Sequence, residues 1–319
     1  MAEVVALGEL LVDFTLQQTD PEGYPVLAAH PGGAPANFLA ALSHFGAATA
    51  LLAKVGEDAF GTLLAQTLQK EGVDLRGLRR DGDAFTTLAF VTLDSAGERQ
   101  FSFARKPGAD TCLRPEELDR ELISSAKVFH FGSLSLTHEP ARGATREALA
   151  LAKGAGCLIT YDPNYRPPLW GSPEKAKEQM LWGLRQADVV KLSEEELEFL
   201  LGKTGPKAAR SLMEEFGLKL VFVTLGERGC FFANGKCSGH VAALQAARVL
   251  DTTGAGDIFF GAAVSCLLRC AKSPEQLCEE DLRKIVTFAV TAAGLSTERA
   301  GGISSIPTLE EIYRRMEGI

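Results

Sequence analysis

The stretch Asp251-Thr252-Thr253-Gly254-Ala255-Gly256-Asp257 has the residue types needed to hold an anion and move a proton. Downstream, Ile258 to Leu268 is apolar, with small residues at Gly261, Ala262, Ala263 and Ser265, while Val241 to Leu250 upstream reads as a β-rich run. A loop therefore opens a buried helix. Such a junction presents unpaired backbone N–H groups and the positive end of a helix dipole, and glycines let a bulky anion approach that backbone. Phosphate suits it. Asp257, just inside the helix, can pair with backbone donors or take a proton from a hydroxyl beside the anion. Taken alone, the stretch is better read as a tight turn with Thr253 or Asp257 as an ordinary N-cap, because short glycine motifs recur by chance. The rest of the chain changes that balance.

Other polar groups fall repeatedly at the ends of expected strands. Asp13 follows an apolar strand and can accept hydrogen bonds from a polyol, although a lone acid there is more often a turn residue. Asn37 lies four residues after Gly33, where a helix start offers an amide and backbone donors, or simply a cap. Asp162-Pro163-Asn164-Tyr165-Arg166 crowds three polar side chains onto one strand end, the alternative being a hydrogen-bonded turn. Ser193-Glu194-Glu195-Glu196 has capping-box spacing, which explains Glu196 structurally. Thr224-Leu225-Gly226-Glu227-Arg228-Gly229 leaves a strand through two glycines, suiting a turn or a nucleotide lying across the strand end. Gly202-Lys203-Thr204 is no Walker loop, since Leu197 stands where the earlier glycine belongs, and the five histidines show no metal spacing. Jointly, glycine turns and carboxylates at the strand ends of one sheet give the layout for moving a phosphoryl group to a hydroxyl.

The positioning elements read as an α/β alternation. Strands are expected near residues 3–8, 10–16, 49–55, 128–132, 158–162, 189–192 and 220–225, with short strands over 230–249. Helices are expected over 38–45, 59–71, 139–153, 173–185, 194–201, 207–216, 256–271, 281–296 and 308–317, and Gln17 to His30 reads as turn-rich. Thr86 to Leu93 and Arg99 to Arg105 break the rhythm as a hairpin turning at Asp94-Ser95-Ala96-Gly97. This pattern predicts one α/β domain over 1–319, with a mainly parallel sheet, helices on both faces, and a small β lid from about 14–29 and 86–105.

Composition narrows the partners. With 33 basic and 41 acidic residues the net charge is −8, and no basic run offers a nucleic-acid footprint. The seven cysteines include no Cys-x-x-Cys and read as reduced thiols. No signal peptide is visible, and no apolar run reaches the ~20 residues needed to cross a bilayer. A cytoplasmic protein without membrane or nucleic-acid partners is expected.

On these residues the chain resembles the ribokinase, or PfkB, family of carbohydrate kinases over essentially its full length. The two signature regions are Gly32-Gly33-Ala34-Pro35-Ala36-Asn37 and Asp251 to Asp257. Gly8-Glu9-Leu10-Leu11-Val12-Asp13-Phe14, Phe101-Ser102-Phe103-Ala104-Arg105, Asp162 to Trp170 and Lys191-Leu192-Ser193-Glu194-Glu195-Glu196-Leu197 look most like fructokinases. The resemblance implies a ribokinase-like core of nine or so strands and a lid that often pairs two subunits into a homodimer. It implies ATP-dependent phosphorylation of D-fructose to fructose 6-phosphate, with 2-keto-3-deoxygluconate, ribose or aminoimidazole riboside as rival acceptors and a sugar-binding regulator as the non-enzymatic rival. Asp257 would be the base and the amides of Gly254, Ala255 and Gly256 the anion hole. Asp13, Gly33, Asn37, Arg105 and Arg166 would face the sugar, and Lys191, Ser193, Thr224, Gly226, Gly229 and Gly256 the ATP. Glu196 would hold Mg²⁺ through water, and Asp251, Thr253 and Ser305 a monovalent cation such as K⁺.

Overall fold

The computed structural model describes residues 1–93, 99–244 and 248–318. Strand β1 (Val4–Leu7) is buried on both faces, Val4 and Ala6 entering one apolar core and Val5 and Leu7 another. The next two strands, β2 (Leu11–Thr19) and β3 (Pro25–Gly32), pair antiparallel, so much of the segment expected as turns is strand. Its turn signals act only at the tip, where Asp20 Oδ1 accepts from the N–H groups of Glu22 and Tyr24. Helix α1 (Ala34–His44) starts at Ala34 rather than Phe38, because Gly33 at φ 111 turns the chain and Pro35 suits the first helical turn.

Strand β4 (Thr49–Gly56), helix α2 (Ala59–Lys70) and the short strand β5 (Leu78–Asp81) follow. No strand was expected at β5, whose Leu-Arg-Arg-Asp sequence lacks apolar alternation; it is held by parallel pairing with β4. Strands β6 (Leu88–Leu93) and β7 (Arg99–Ala104) pair antiparallel as expected, and their turn at Asp94 to Gly97 lies outside the described residues. Helix α3 (Arg120–Ser124) leads into β8 (Val128–Gly132), α4 (Ala141–Gly154), β9 (Leu158–Asp162), α5 (Pro173–Leu184) and β10 (Val189–Ser193). Then come α6 (Glu194–Leu201), α7 (Gly205–Phe216), β11 (Leu220–Thr224), β12 (Cys230–Asn234) and β13 (Ser238–Val241). The β-rich run expected to Leu250 stops at Val241, the described residues beyond it being irregular. Helices α8 (Ala255–Arg269), α9 (Glu279–Ser296) and α10 (Leu309–Glu317) complete the chain.

The main sheet has nine strands in the order β13-β12-β11-β10-β9-β8-β1-β4-β5, parallel except at the β11–β12 and β12–β13 pairs. Residues of α1, α2, α8, α9 and α10 build the core on one face, and those of α3 to α7 the core on the other. Chain order reverses at β1, flanked by β8 and β4, which is where an open α/β sheet forms a crevice at its strand carboxyl ends. A second sheet, β3-β2-β6-β7, is formed by the segments expected to make the lid. Among the described residues no helix is long and apolar enough to cross a membrane.

Candidate active site

One cleft of about 700 Å³ collects the carboxyl ends of β1, β9, β10 and β11 and the starts of α1 and α8. Helix α8 has Gly254 as its N-cap at φ 75, and no side chain caps it. Thr253 is thus not the cap: its N–H and hydroxyl go back to Asp251 Oδ1 at 2.9 and 2.7 Å. A Cβ at Gly254 would fall 2.9 Å from Gly302 Cα, and one at Gly256 would fall 2.9 Å from Lys191 Nζ. Position 254 therefore needs glycine, a side chain at 256 would press on the Lys191 ammonium, and a helix start without a side-chain cap faces the cleft as a cradle that fits a phosphate.

Asp257 is the third residue of α8 and lies half-buried in the cleft wall. Asn37 Nδ2 donates to its Oδ2 at 2.8 Å, joining the first turns of α1 and α8. The two helices can approach this closely because Gly261 has no side chain: a Cβ there would sit 2.8 Å from Phe38 O and 2.9 Å from Ala41 Cβ. Desolvation pushes the Asp257 carboxyl up to about 7, and the charge of Asp162 adds to it, while Lys191, the Asn37 bond and Arg166 pull it back. A carboxylate so poised can accept a proton at neutral pH. Behind it, buried Lys191 donates to buried Asp162 Oδ2 at 2.8 Å. Burial alone would lower Lys191, but Asp162, Glu196 and Asp257 together raise it, so the lysine stays charged. Across the cleft, burial pushes Asp13 up to about 6, with Arg166 opposing and Asp251 adding. In its ionised form Asp13 can accept from hydroxyls.

The chain matches the pfkB family of carbohydrate kinases over residues 1–309. It belongs to that family. It is 46% identical over 311 residues to the probable fructokinase-3 of Arabidopsis thaliana, covering 96% of this chain and 88% of that one. Among solved structures, a fructokinase with bound ATP from Xylella fastidiosa is similar with a TM-score of 0.91 and 30% identity, covering 100% of this chain and 99% of that one. A fructokinase from Vibrio cholerae O395 in a fructose-, ADP- and calcium-bound form gives 0.86 and 31%, covering 98% of each chain.

Of the residues expected to serve a pfkB-family kinase, Asp13, Gly33, Asn37, Arg166, Lys191, Ser193, Glu196, Thr224, Thr253, Gly254, Gly256 and Asp257 line the cleft. The capping box at α6 is present: Ser193 Oγ accepts from Glu196 N at 3.2 Å, and Glu196 Oε2 accepts from Ser193 N at 2.7 Å. Glu196 Oε1 accepts from Tyr165 N at 2.7 Å, which leaves each oxygen a lone pair for an ion-bound water. Among the described residues no three His, Cys, Asp or Glu side chains gather as a metal site, so a magnesium ion would fit beside Glu196 with most of its shell supplied by water and phosphate. Gly226 and Gly229 occupy the tight turn after β11, at φ 59 and 95, outside the cleft lining, as Ala255 is. Asp251 Oδ2 accepts from Gly301 N at 2.8 Å, tying the 251–253 loop to the 301–305 turn, within which Ser305 is buried and donates to Gly302 O at 2.7 Å.

Arg105 stands differently from its expected place. It does not line the cleft; its guanidinium is buried against Asp110, Leu134 O and Thr137. Two acids at strand ends in or beside the cleft received no individual role from the sequence. Glu9, 3% exposed, lines the cleft and accepts from Ala34 N at 3.0 Å, and burial pushes its carboxyl up to about 7. Asp162 is the other. Each is an acid at the end of a buried strand, and that position was the available signal.

Proposed function

We infer that the protein transfers the γ-phosphoryl group of ATP to the primary hydroxyl of D-fructose, giving ADP and fructose 6-phosphate. The observation that supports this best is Asp257, poised near neutrality at the start of a helix without a side-chain cap and facing Asp13 and Arg166 in one cleft. The fructokinase names of the relatives support the choice of sugar. In this reading Asp257 takes the hydroxyl proton as the sugar oxygen bonds to the γ-phosphorus and the bond to the bridging oxygen of ADP breaks. The amides of Gly254, Ala255 and Gly256 receive the developing charge, and positioning with charge stabilisation carries most of the rate.

Asp13, Gly33, Asn37 and Arg166 hold the sugar, with Arg105 acting one layer behind. Lys191, Ser193, Thr224, Gly226 and Gly229 face the nucleotide. Glu196 would hold a magnesium ion through water, and that ion would supply charge neutralisation at the phosphates; Asp251, Thr253 and Ser305 would hold a monovalent cation beside the cradle. The small sheet closes as a lid that excludes water, and two chains pair through it. Seven free thiols suit a reducing cytoplasm.

A panel of sugars assayed with ATP for ADP release tests the reading. Fructose should show the highest kcat/KM. Turnover of 2-keto-3-deoxygluconate without fructose would overturn the sugar, and calorimetric fructose binding without ADP release would favour a sugar-binding regulator.

A further inference from the structure

The small sheet reaches the cleft through Asp13 on β2 and Phe103 on β7, so the sugar end of the site depends on how that sheet is rooted. Its β6–β7 hairpin has two roots, and both end on one buried carboxylate. At the entry to β6, Thr87 Oγ1 donates to Asp110 Oδ1 at 2.6 Å. At the exit from β7, Arg105 donates to Asp110 Oδ2 through Nε at 2.9 Å and through Nη2 at 2.5 Å. Arg105 then extends the tie into the main domain, Nη2 donating to Leu134 O and Nη1 to Thr137 Oγ1, both at 3.0 Å. Leu134 follows β8 and itself lines the cleft. All three members are nearly inaccessible: Thr87 is 1%, Asp110 6% and Arg105 7% exposed.

The surroundings are shaped for this cluster. A Cβ at Gly108 would fall 1.8 Å from Thr87 Oγ1, 2.8 Å from Asp110 Oδ1 and 2.9 Å from Arg105 Cγ, so glycine leaves the space the three side chains occupy. The neighbouring Thr86 is tied elsewhere, its N–H and hydroxyl donating to Asp58 at the start of α2. Consecutive threonines thus pin the root of β6 to two different parts of the core. An ion pair this dry is weak evidence for a gain in stability, and its better-attested use is to fix one arrangement.

We propose that Asp110 is a positioning residue for the sugar: by gripping Thr87 and Arg105 together it sets the angle at which the small sheet presents Asp13 and Phe103 to the acceptor. The inference rests on the kinase reading and adds to it a lock that touches neither sugar nor nucleotide. Loosening the lock should weaken sugar binding and let water compete as acceptor, while the ATP end of the cleft, on β10 and β11, is undisturbed.

The test compares wild type with Thr87→Val, Thr87→Ser and Asp110→Asn, reading KM for fructose, KM for ATP, kcat, and sugar-independent ATP hydrolysis. Thr87→Val keeps the branched side chain, removes the hydroxyl and leaves Arg105 paired with Asp110, so it reads the loosened lock even if Asp110→Asn fails to fold. Thr87→Val should raise the fructose KM about 5- to 20-fold and increase ATP hydrolysis per sugar phosphate formed, with the ATP KM unchanged. Thr87→Ser, which retains the hydroxyl, should restore wild-type values. A Thr87→Val enzyme with wild-type fructose KM and hydrolysis ratio would overturn the inference, as would equal loss in both KM values. A wild-type enzyme inactive on fructose would instead count against the kinase reading.

Discussion

Asp257 meets two demands that oppose each other. Desolvation places its carboxyl near 7, where it can accept a proton, but holding the ionised form there costs folding free energy. Its folded value lies above the ordinary 3.8, so its contribution to stability is fully present below about 3.8 and is lost as pH rises through about 7. Asp257→Asn should therefore raise stability at pH 8 by roughly 1–3 kcal/mol, and the gain should shrink between pH 7 and pH 4. Denaturant titrations of both proteins at pH 8 and pH 4 would measure this. The residues of the candidate cradle were legible in the sequence only together with the other glycine turns and acids at strand ends, since the stretch taken alone reads as a capped turn. The Lys191–Asp162 pair was not, since it joins neighbouring strands and depends on sheet order. Arg105 lies behind the cleft lining for a related reason: the residues around it in sequence do not reveal that Asp110, five residues on, holds its guanidinium.

At the scale of elements, the site is made where α1 and α8 cross. The pair brings Asn37 onto Asp257, and the crossing is close only because position 261 is glycine. Gly261→Ala would push a methyl group against Phe38 O and Ala41, costing roughly 1–3 kcal/mol and separating the two first turns. The expected outcome is a lower Tm together with a fall in kcat larger than stability alone explains, checked by calorimetry beside steady-state assays at a temperature where both proteins are folded. Strands β8 and β9 and helix α6 agree with their sequence-read bounds, because apolar runs and a capping box mark them plainly. Polar β5 and most of β3 escaped, since those strands are specified by their partners more than by local pattern.

The whole molecule sets many strand ends of one sheet around a single cleft, and an acidic chain of net charge −8 can still hold an anion because helix starts and Arg166 act locally. The small sheet and its β2–β3 turn leave Leu16, Tyr24 and Val26 exposed at 43%, 69% and 40%. Pairing of two chains through that sheet would cover them, so light scattering at micromolar concentration should give twice the chain mass, and Leu16→Asp should shift it towards the monomer. The most direct measurement is the pH dependence of kcat/KM for fructose with saturating ATP, in wild type and Asp257→Asn. Wild type should rise with pH to a plateau with a midpoint near 7, and Asp257→Asn should lose about 10²- to 10⁴-fold activity along with that limb. An Asp257→Asn enzyme within a few-fold of wild type, with the same limb intact, would contradict Asp257 as the base.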